Sequence, residues 1–387
     1  MPGRPRILSI SFSHFPSDAR VLRQLRVLQE FGDVTTVGYG DGPDGVAEHL
    51  AVDPALPSLA QTPGGVLSLA LRRFRAVELS APAVAAARRA IGDRGFDLVV
   101  ANEARALPLA HAVAHGAPVW GDLHEWAPEE RTHVLSWRLL VAPYMRWVCA
   151  EYLPRTAGIT TVNGSIAGLY RDAFGVDVEV VRNAIPLQDL HPGATPRDRI
   201  RLVHSGAAVP GRSIEVLIEA ALQLDERFSL DLYLVQGRDG GAYWRQLREL
   251  ARGSDRIVFH DAVRPSELPA TLNAYDVGVF VLPPRTANHR YMLPNKFFDF
   301  VQARLAIVFS TAVETDSLIE RFGLGRISPG YTAEDLAAVL RPLDREAIDR
   351  YKAATDAAAP GLSSAEDERV ERELLGRLLG SGRDASA

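Results

Sequence analysis

The sequence predicts an α/β protein made of two doubly wound, Rossmann-like domains that face each other. Three observations carry this. Short apolar, β-rich runs alternate with helical patterns along the whole chain. The strands read as near-continuous hydrophobic runs, the mark of parallel sheets covered on both faces. The alternation also starts afresh after a Pro/Gly-containing joint, PLQDLHPGATPRD (186–198). With 387 residues the chain exceeds one ordinary core and suits two domains of about 150–200 residues each. The expected divisions are 1–190, 191–362 and a last charged helical segment, 363–387, that follows APGLSS and crosses back to the first domain.

In the first half, RILSISF (6–12) is a strand, followed by a helix from about Ser17 to Phe31. Ser17 is its expected N-cap, and Gly32 sits where a terminating glycine belongs. VTTVGY (34–39) is the next strand, and an Ala/Arg-rich stretch, 66–92, is helical. DLVVAN (97–102), APVWGDLH (117–124), GITTVN (158–163) and VEVVRN (178–183) complete the half. The second half gives strands at 199–206, 230–237, 257–261, 276–283 and 305–310, with helices at 213–224 and 241–252 and after each later strand. Residues 134–148, VLSWRLLVAPYMRWV, read either as an interfacial surface or as a helix packed in a core; the packed helix is favoured.

Composition narrows the function. With 47% hydrophobic and 24% charged residues and a formal charge of −5, the chain is that of a soluble globular protein and not of a nucleic-acid binder. One cysteine, Cys149, excludes an intramolecular disulfide and a thiolate metal cluster. No apolar run approaches a membrane span and no signal-peptide pattern precedes the first strand. The expected location is therefore cytoplasmic, with peripheral contact at the inner membrane face suggested only by residues 134–148.

Open parallel sheets bind ligands beyond the carboxyl ends of their strands. After the first strand, SHFPSDAR supplies Asp18 and Arg20 around a helix start. No G-x-G-x-x-G fingerprint occurs there, and the glycines of GYGDGPDG (38–45) precede no helix. After VWGDLH, Asp122 and His124 share a strand face, with Glu125 beside them. His124 can orient a sugar hydroxyl and the carboxylates can receive hydroxyls, although a polar strand end is equally ordinary. After RLVHSG, Gly206 permits close approach, Ser213 is the expected helix cap, and Arg212 lies where a helix N-terminus favours an anion. After VGVFVLP comes NHRYMLPNKFFDF (288–300). On a helix opening near Pro294, Asn295 and Asp299 are i,i+4 neighbours and Lys296 and Asp299 are i,i+3 neighbours. Lys296 at the helix start suits a phosphate, and Asp299 one turn in suits two adjacent hydroxyls, as of a ribose. A surface ion pair would explain those two residues, but not the accompanying Asn288, Tyr291 and Asn295.

Taken together, these stretches resemble the retaining GT-B glycosyltransferases of family four. PSDARVLRQLRVLQEFGDVTTVG, DLHEWAPEE and GITTVNGSIAGLYRDAFGVDVEVVRNAIP are similar to the family's first half, and HSGAAVPGRSIEVLIEA and YMLPNKFFDFVQARLAIVFS to its second. The resemblance implies transfer of a sugar from a nucleoside-diphosphate donor with retained configuration, no cofactor and no divalent metal. The acceptor, a glycan, a lipid-linked saccharide or a small metabolite, would use the first domain. The donor would use the second, with the base open between uridine and guanosine and uridine favoured. Residue by residue, it implies that Arg212 and Lys296 neutralise the diphosphate, Asp299 binds the ribose and His124 faces the donor sugar. Gly206, Tyr291, Leu293 and Asn295 join the donor side; Asp18, Arg20, Asp122, Glu125 and Asn183 join the acceptor side. The chain departs from the family at Tyr291, where a Glu is common, at Ala207, where a basic residue is usual, and at Arg304, where the motif has Gly. Two alternatives stay open: a nucleotide-sugar-binding protein without transfer, and an epimerase of the same fold.

Overall fold

The computed structural model describes residues 3–237 and 239–384, and these divide into two compact units. The first comprises residues up to Arg182, Thr286–Asn288 and the chain from Asp367 onward; the second comprises Asn183–Arg285 and His289–Glu366.

The first unit carries seven strands: β1 (Arg6–His14), β2 (Asp33–Tyr39), β3 (Glu48–Val52), β4 (Leu98–Asn102), β5 (Val119–Leu123), β6 (Gly158–Thr161) and β7 (Glu179–Val180). They pair in parallel in the order β3-β2-β1-β4-β5-β6-β7, so the winding reverses between β1 and β4. The burial of β1, β4 and β5, including Ile7, Leu98, Val100 and Trp120, is what a sheet covered on both faces requires. One cover is the end of the chain. Leu374, Leu375 and Leu378 of the helix Ser364–Asp384 join this core. The helix sits so close to β6 that a Cβ on Gly158 would lie 2.7 Å from a Leu374 methyl. Arg182 clamps Asp367 at 3.0 Å, and Arg372 forks onto Glu30 at 2.8 and 2.9 Å.

The second unit carries β8 (Ile200–Ala208), β9 (Phe228–Gln236), β10 (Ile257–His260), β11 (Val277–Phe280), β12 (Ala306–Ser310) and β13 (Gly325–Ser328), again all parallel, in the order β10-β9-β8-β11-β12-β13. Its side chains alternate between two clusters, one per face. Leu202, Val279 and Val308 enter one, while Val203, Phe280 and Phe309 enter the other. The α/β class and doubly wound sheets are thus those the sequence predicts.

Several local expectations change. Asp18, not Ser17, caps the helix Ala19–Phe31, its carboxylate accepting from the Val21 amide at 3.2 Å; Ser17 belongs to a preceding 3-10 turn. Gly32 is extended rather than left-handed, and glycine is required there because a Cβ would meet the Pro5 carbonyl at 2.3 Å. The stretch 66–92 is two helices, Pro63–Ala70 and Pro82–Ile91, parted by a 3-10 turn at Phe74–Ala76. The glycine-rich segment 38–45 leads into β3, which its polar sequence did not announce. In 134–148, Tyr144, Met145 and Val148 are core residues of the helix Ala142–Tyr152, whereas Val134, Leu135 and Leu139 are exposed.

Candidate functional site

In each unit, chemistry gathers at the carboxyl ends of strands at or next to the reversal of winding, where open α/β sheets bind ligands.

In the second unit these strands are β8 and β11, and the helix Asn295–Gln302 follows β11. That helix buries Phe297, Phe298, Phe300 and Val301. Phe300 presses on β11 at Gly278, where a Cβ would lie 2.3 Å from its ring; only glycine lets the helix come this near. The close seat carries Lys296, in the first turn, across to β8. Its ammonium lies against Gly206, close enough that a Cβ there would be 2.7 Å from Nζ, and 5.4 Å from the centre of the Phe280 ring. Gly206 has φ +152°, and Ala207, next to it, is exposed. Lys296 makes no hydrogen bond or ion pair among the described residues. Burial, with the Arg212 charge beside it, brings its ammonium down to about 8, and Asp299 only partly offsets them. Arg212 itself is exposed at the turn after β8.

His204, two residues before Gly206, completes this end of β8. Its Nδ1 donates to the Val279 carbonyl at 2.9 Å, and its ring stacks parallel to Phe280 at 6.1 Å. Burial, then the charge of Lys296, pushes its imidazole down to about 3, so it is neutral and Nε2 is an acceptor. The sequence reading missed His204; its one signal was a titratable residue in a strand otherwise apolar.

Ser213 does not cap the helix Ile214–Leu222. It adopts a left-handed conformation, φ 56°, without a side-chain cap, and the Tyr243 hydroxyl accepts from the Ile214 amide at 3.2 Å instead. Tyr291 is half-buried under the Arg290 guanidinium, 5.5 Å from its ring centre. Leu293 is a core side chain, which leaves only its backbone for a ligand, and Asn295 is exposed as the first residue of its helix. Asn183 opens the second unit.

In the first unit, Asp122 ends β5 fully buried and accepts from five donors. These are Arg20 Nη2 at 2.6 Å and Nε at 2.9 Å, Thr160 at 2.6 Å, Gln24 at 3.1 Å and His124 Nε2 at 3.2 Å. Burial alone would raise its carboxyl, but Arg20 and His124 outweigh it and hold the group well below the usual carboxylate range. Arg20 is buried with it and also donates to the Val181 carbonyl at 2.7 Å. Neither side chain has capacity left for an acceptor hydroxyl, so both act as scaffold. Asp18 caps the helix with one carboxylate oxygen, which accepts from the Val21 amide at 3.2 Å.

What the scaffold holds is His124. Its Nε2 faces Asp122 at 3.2 Å and its Nδ1 faces Glu103 at 3.3 Å. Burial works against its charge, but Glu103 and Asp122 prevail and raise its pKa. Glu103, which directly follows β4, has φ 73°, a strained conformation for a non-glycine, and its amide donates to the Asp122 carbonyl at 2.8 Å. No sequence pattern announced it. Glu125, next to His124, is pushed up to about 7 by burial and then by the charges of Glu103 and Glu130. Asn288 fixes this turn: its Oδ1 accepts from the Trp126 amide at 2.7 Å, and its Nδ2 donates to Glu125 at 3.3 Å. Glu130 is held by Arg105 at 3.2 Å. Among the described residues no group of three or more His, Cys, Asp or Glu is arranged to hold a metal.

Comparison with known proteins agrees with this picture. Residues 20–189 match the family model described as Glycosyltransferase Family 4. Among solved structures, the chain is similar to Anabaena HepE in complex with UDP-glucose, with TM-score 0.70 and 15% identity over 96% of this chain and 100% of that one. It is similar to sucrose-phosphate synthase from Thermosynechococcus elongatus, with TM-score 0.72 and 15% identity over 98% and 100%. It is also similar to an E. coli trehalose-6-phosphate protein bound with UDP-2-fluoro glucose, with TM-score 0.66 and 13% identity over 97% and 99%. No curated protein matches the sequence itself. The fold is that of these GT-B structures, and the family model covers residues 20–189 of the chain.

Proposed function

We propose, from the premise that the chain is a GT-B glycosyltransferase, that it moves a sugar from a uridine diphosphate donor to a hydroxyl acceptor. The configuration at the anomeric carbon is retained and no divalent metal takes part. The observation that carries the reading is Lys296. A half-buried, desolvated ammonium without a paired carboxylate is costly. Here it lies against a glycine at the carboxyl end of β8 with Arg212 adding a second positive charge. An anion is what such a site lacks, and a diphosphate supplies two negative groups to two cations. Two solved structures of this fold are complexes with UDP-glucose or its 2-fluoro analogue, which favours uridine.

In the reaction, the bond from the anomeric carbon to the diphosphate oxygen breaks and a bond to the acceptor oxygen forms on the same face. The acceptor proton passes to the departing phosphate, so no protein base is needed. Lys296 and Arg212 stabilise the charge that develops on the leaving group, which is the part a metal ion plays in other transferases. Asp299 receives the ribose hydroxyls and neutral His204 offers Nε2 as an acceptor beside the phosphates. In the first unit, His124 is engaged by Asp122 and Glu103, and Glu125 beside it is the residue assigned to the acceptor side.

The test is a panel of UDP- and GDP-sugars incubated with the protein and simple hydroxyl acceptors in excess chelator, with products read by mass spectrometry and NMR. The expected result is transfer from UDP-sugars with retained configuration. An inverted product, dependence on added metal, or epimerised donor with no transfer overturns the respective part.

A further inference from the structure

Two segments far apart in sequence form one apolar and basic surface on the first unit. The first is the helix Pro63–Ala70 with the turn after it; the second runs from Arg131 through the π-helical turn Trp137–Val141 to the helix Ala142–Tyr152. The Arg72 guanidinium donates to the Leu139 carbonyl at 3.2 Å, and the Phe74 ring packs on Tyr144 and Trp147 at 5.8 and 5.7 Å. Six large apolar side chains are exposed together here: Val66, Leu67, Leu71, Val134, Leu135 and Leu139, with Leu67 60% and Leu135 59% accessible. Such grouping is unusual on a solitary soluble surface.

The charge pattern leans the same way. Arg72, Arg73, Arg75, Arg131, Arg138 and Arg146 lie in these two segments, of which Arg75 pairs with Glu151 at 3.1 Å and Arg131 with Glu130 at 3.5 Å, in a chain whose formal charge is −5. All six arginines are exposed. Between the segments a cavity of about 560 Å³ opens, bordered by Leu56, Val66, Leu69, Val134, Trp137 and Leu140, with Arg105 and Arg131 at its polar side. Arg105, at the polar side of the cavity, also holds Glu130 at 3.2 Å.

We propose that this surface docks on an anionic lipid bilayer and that the cavity receives the apolar portion of a lipid-borne acceptor. Exposed leucines enter the interfacial region while arginines meet the lipid phosphates, which is the chemistry of a peripheral membrane face. The acceptor class rests on the glycosyltransferase reading; the docking itself does not.

The test is co-sedimentation of the full chain with vesicles of phosphatidylcholine alone or with about 30 mol% phosphatidylglycerol, an anionic fraction at which each basic residue near the surface strengthens binding measurably. Two double variants accompany it, L67E/L135E and R73E/R138E; all four side chains are exposed, and UDP-induced thermal shift reports that the variants remain folded. The expected result is binding to anionic vesicles at least tenfold stronger than to neutral ones, weakened at least tenfold by either variant, with the UDP response unchanged. Absence of vesicle binding, or binding indifferent to anionic lipid or to the variants, overturns the proposal. A concentration-dependent dimer that the leucine variant abolishes, without vesicle binding, assigns the face to a second copy of the chain. Loss of the UDP response in the parent protein would instead sink the donor reading and leave the docking result standing.

Discussion

At Lys296 the chain keeps a cation that folding alone does not favour. Replacing it with methionine, which retains the stem against Phe280, removes the desolvated charge. Lys296→Met is therefore expected to raise the thermal midpoint by about 1–3 °C while weakening UDP binding by at least tenfold, checked by scanning calorimetry and titration. The pH dependence has a definite sign. The ammonium of the unliganded protein is brought down to about 8, so its charge is lost as pH rises through that value. Donor KM should accordingly climb above pH 8, by up to about tenfold per unit, and Lys296→Met should show no such step. Arg304 makes the same point about residue and context. It takes φ 61°, the left-handed conformation suited to the family's glycine, and holds it by donating to Asp356 at 2.7 Å and to the Gln302 and Gln188 carbonyls. The departure seen in the sequence is thus accommodated locally rather than by a change of fold.

Among the elements, the helix Asn295–Gln302 decides where the donor-side cation lies, and it does so through one contact. Gly278→Ala puts a methyl 2.3 Å from the Phe300 ring. The helix must lift, at an expected cost of about 1–3 kcal/mol, and UDP affinity should fall although no ligand-facing group was altered; paired urea unfolding and calorimetry would check both. This helix, its aromatic inner face and Lys296 in its first turn were all legible, because a helical period of Phe and Val is a strong signal. The residues that build the surrounding chemistry were less so. His204 is an isolated histidine in an apolar strand, and Glu103 is one acid in NEAR; each acquires meaning only from strands that are distant in sequence. Asp122 and Arg20 were both visible, 102 residues apart, but nothing in the sequence says that they saturate each other. The strand β3 and the terminal strand β13 were missed because short polar strands at sheet edges carry little hydrophobic pattern.

For the molecule as a whole, the alternation of apolar strands and helices was enough to read two doubly wound sheets, since the rules for parallel crossovers leave few other arrangements. Strand order, and with it the place where winding reverses, needed the structure. The chain's end is built into the first unit, with Leu374, Leu375 and Leu378 in its core. Truncation after Ser363 should therefore expose that core and lower the thermal midpoint of the first unit or cause aggregation, while the second unit still unfolds as a separate transition in scanning calorimetry. The central claim, that the second unit is a cationic site for a nucleoside diphosphate, is tested most directly by isothermal titration of UDP into the parent protein and into Lys296→Met, in chelator at pH 7. The account predicts binding by the parent without metal and at least a tenfold loss in the variant. No binding by the parent, or equal affinity in both proteins, would contradict it.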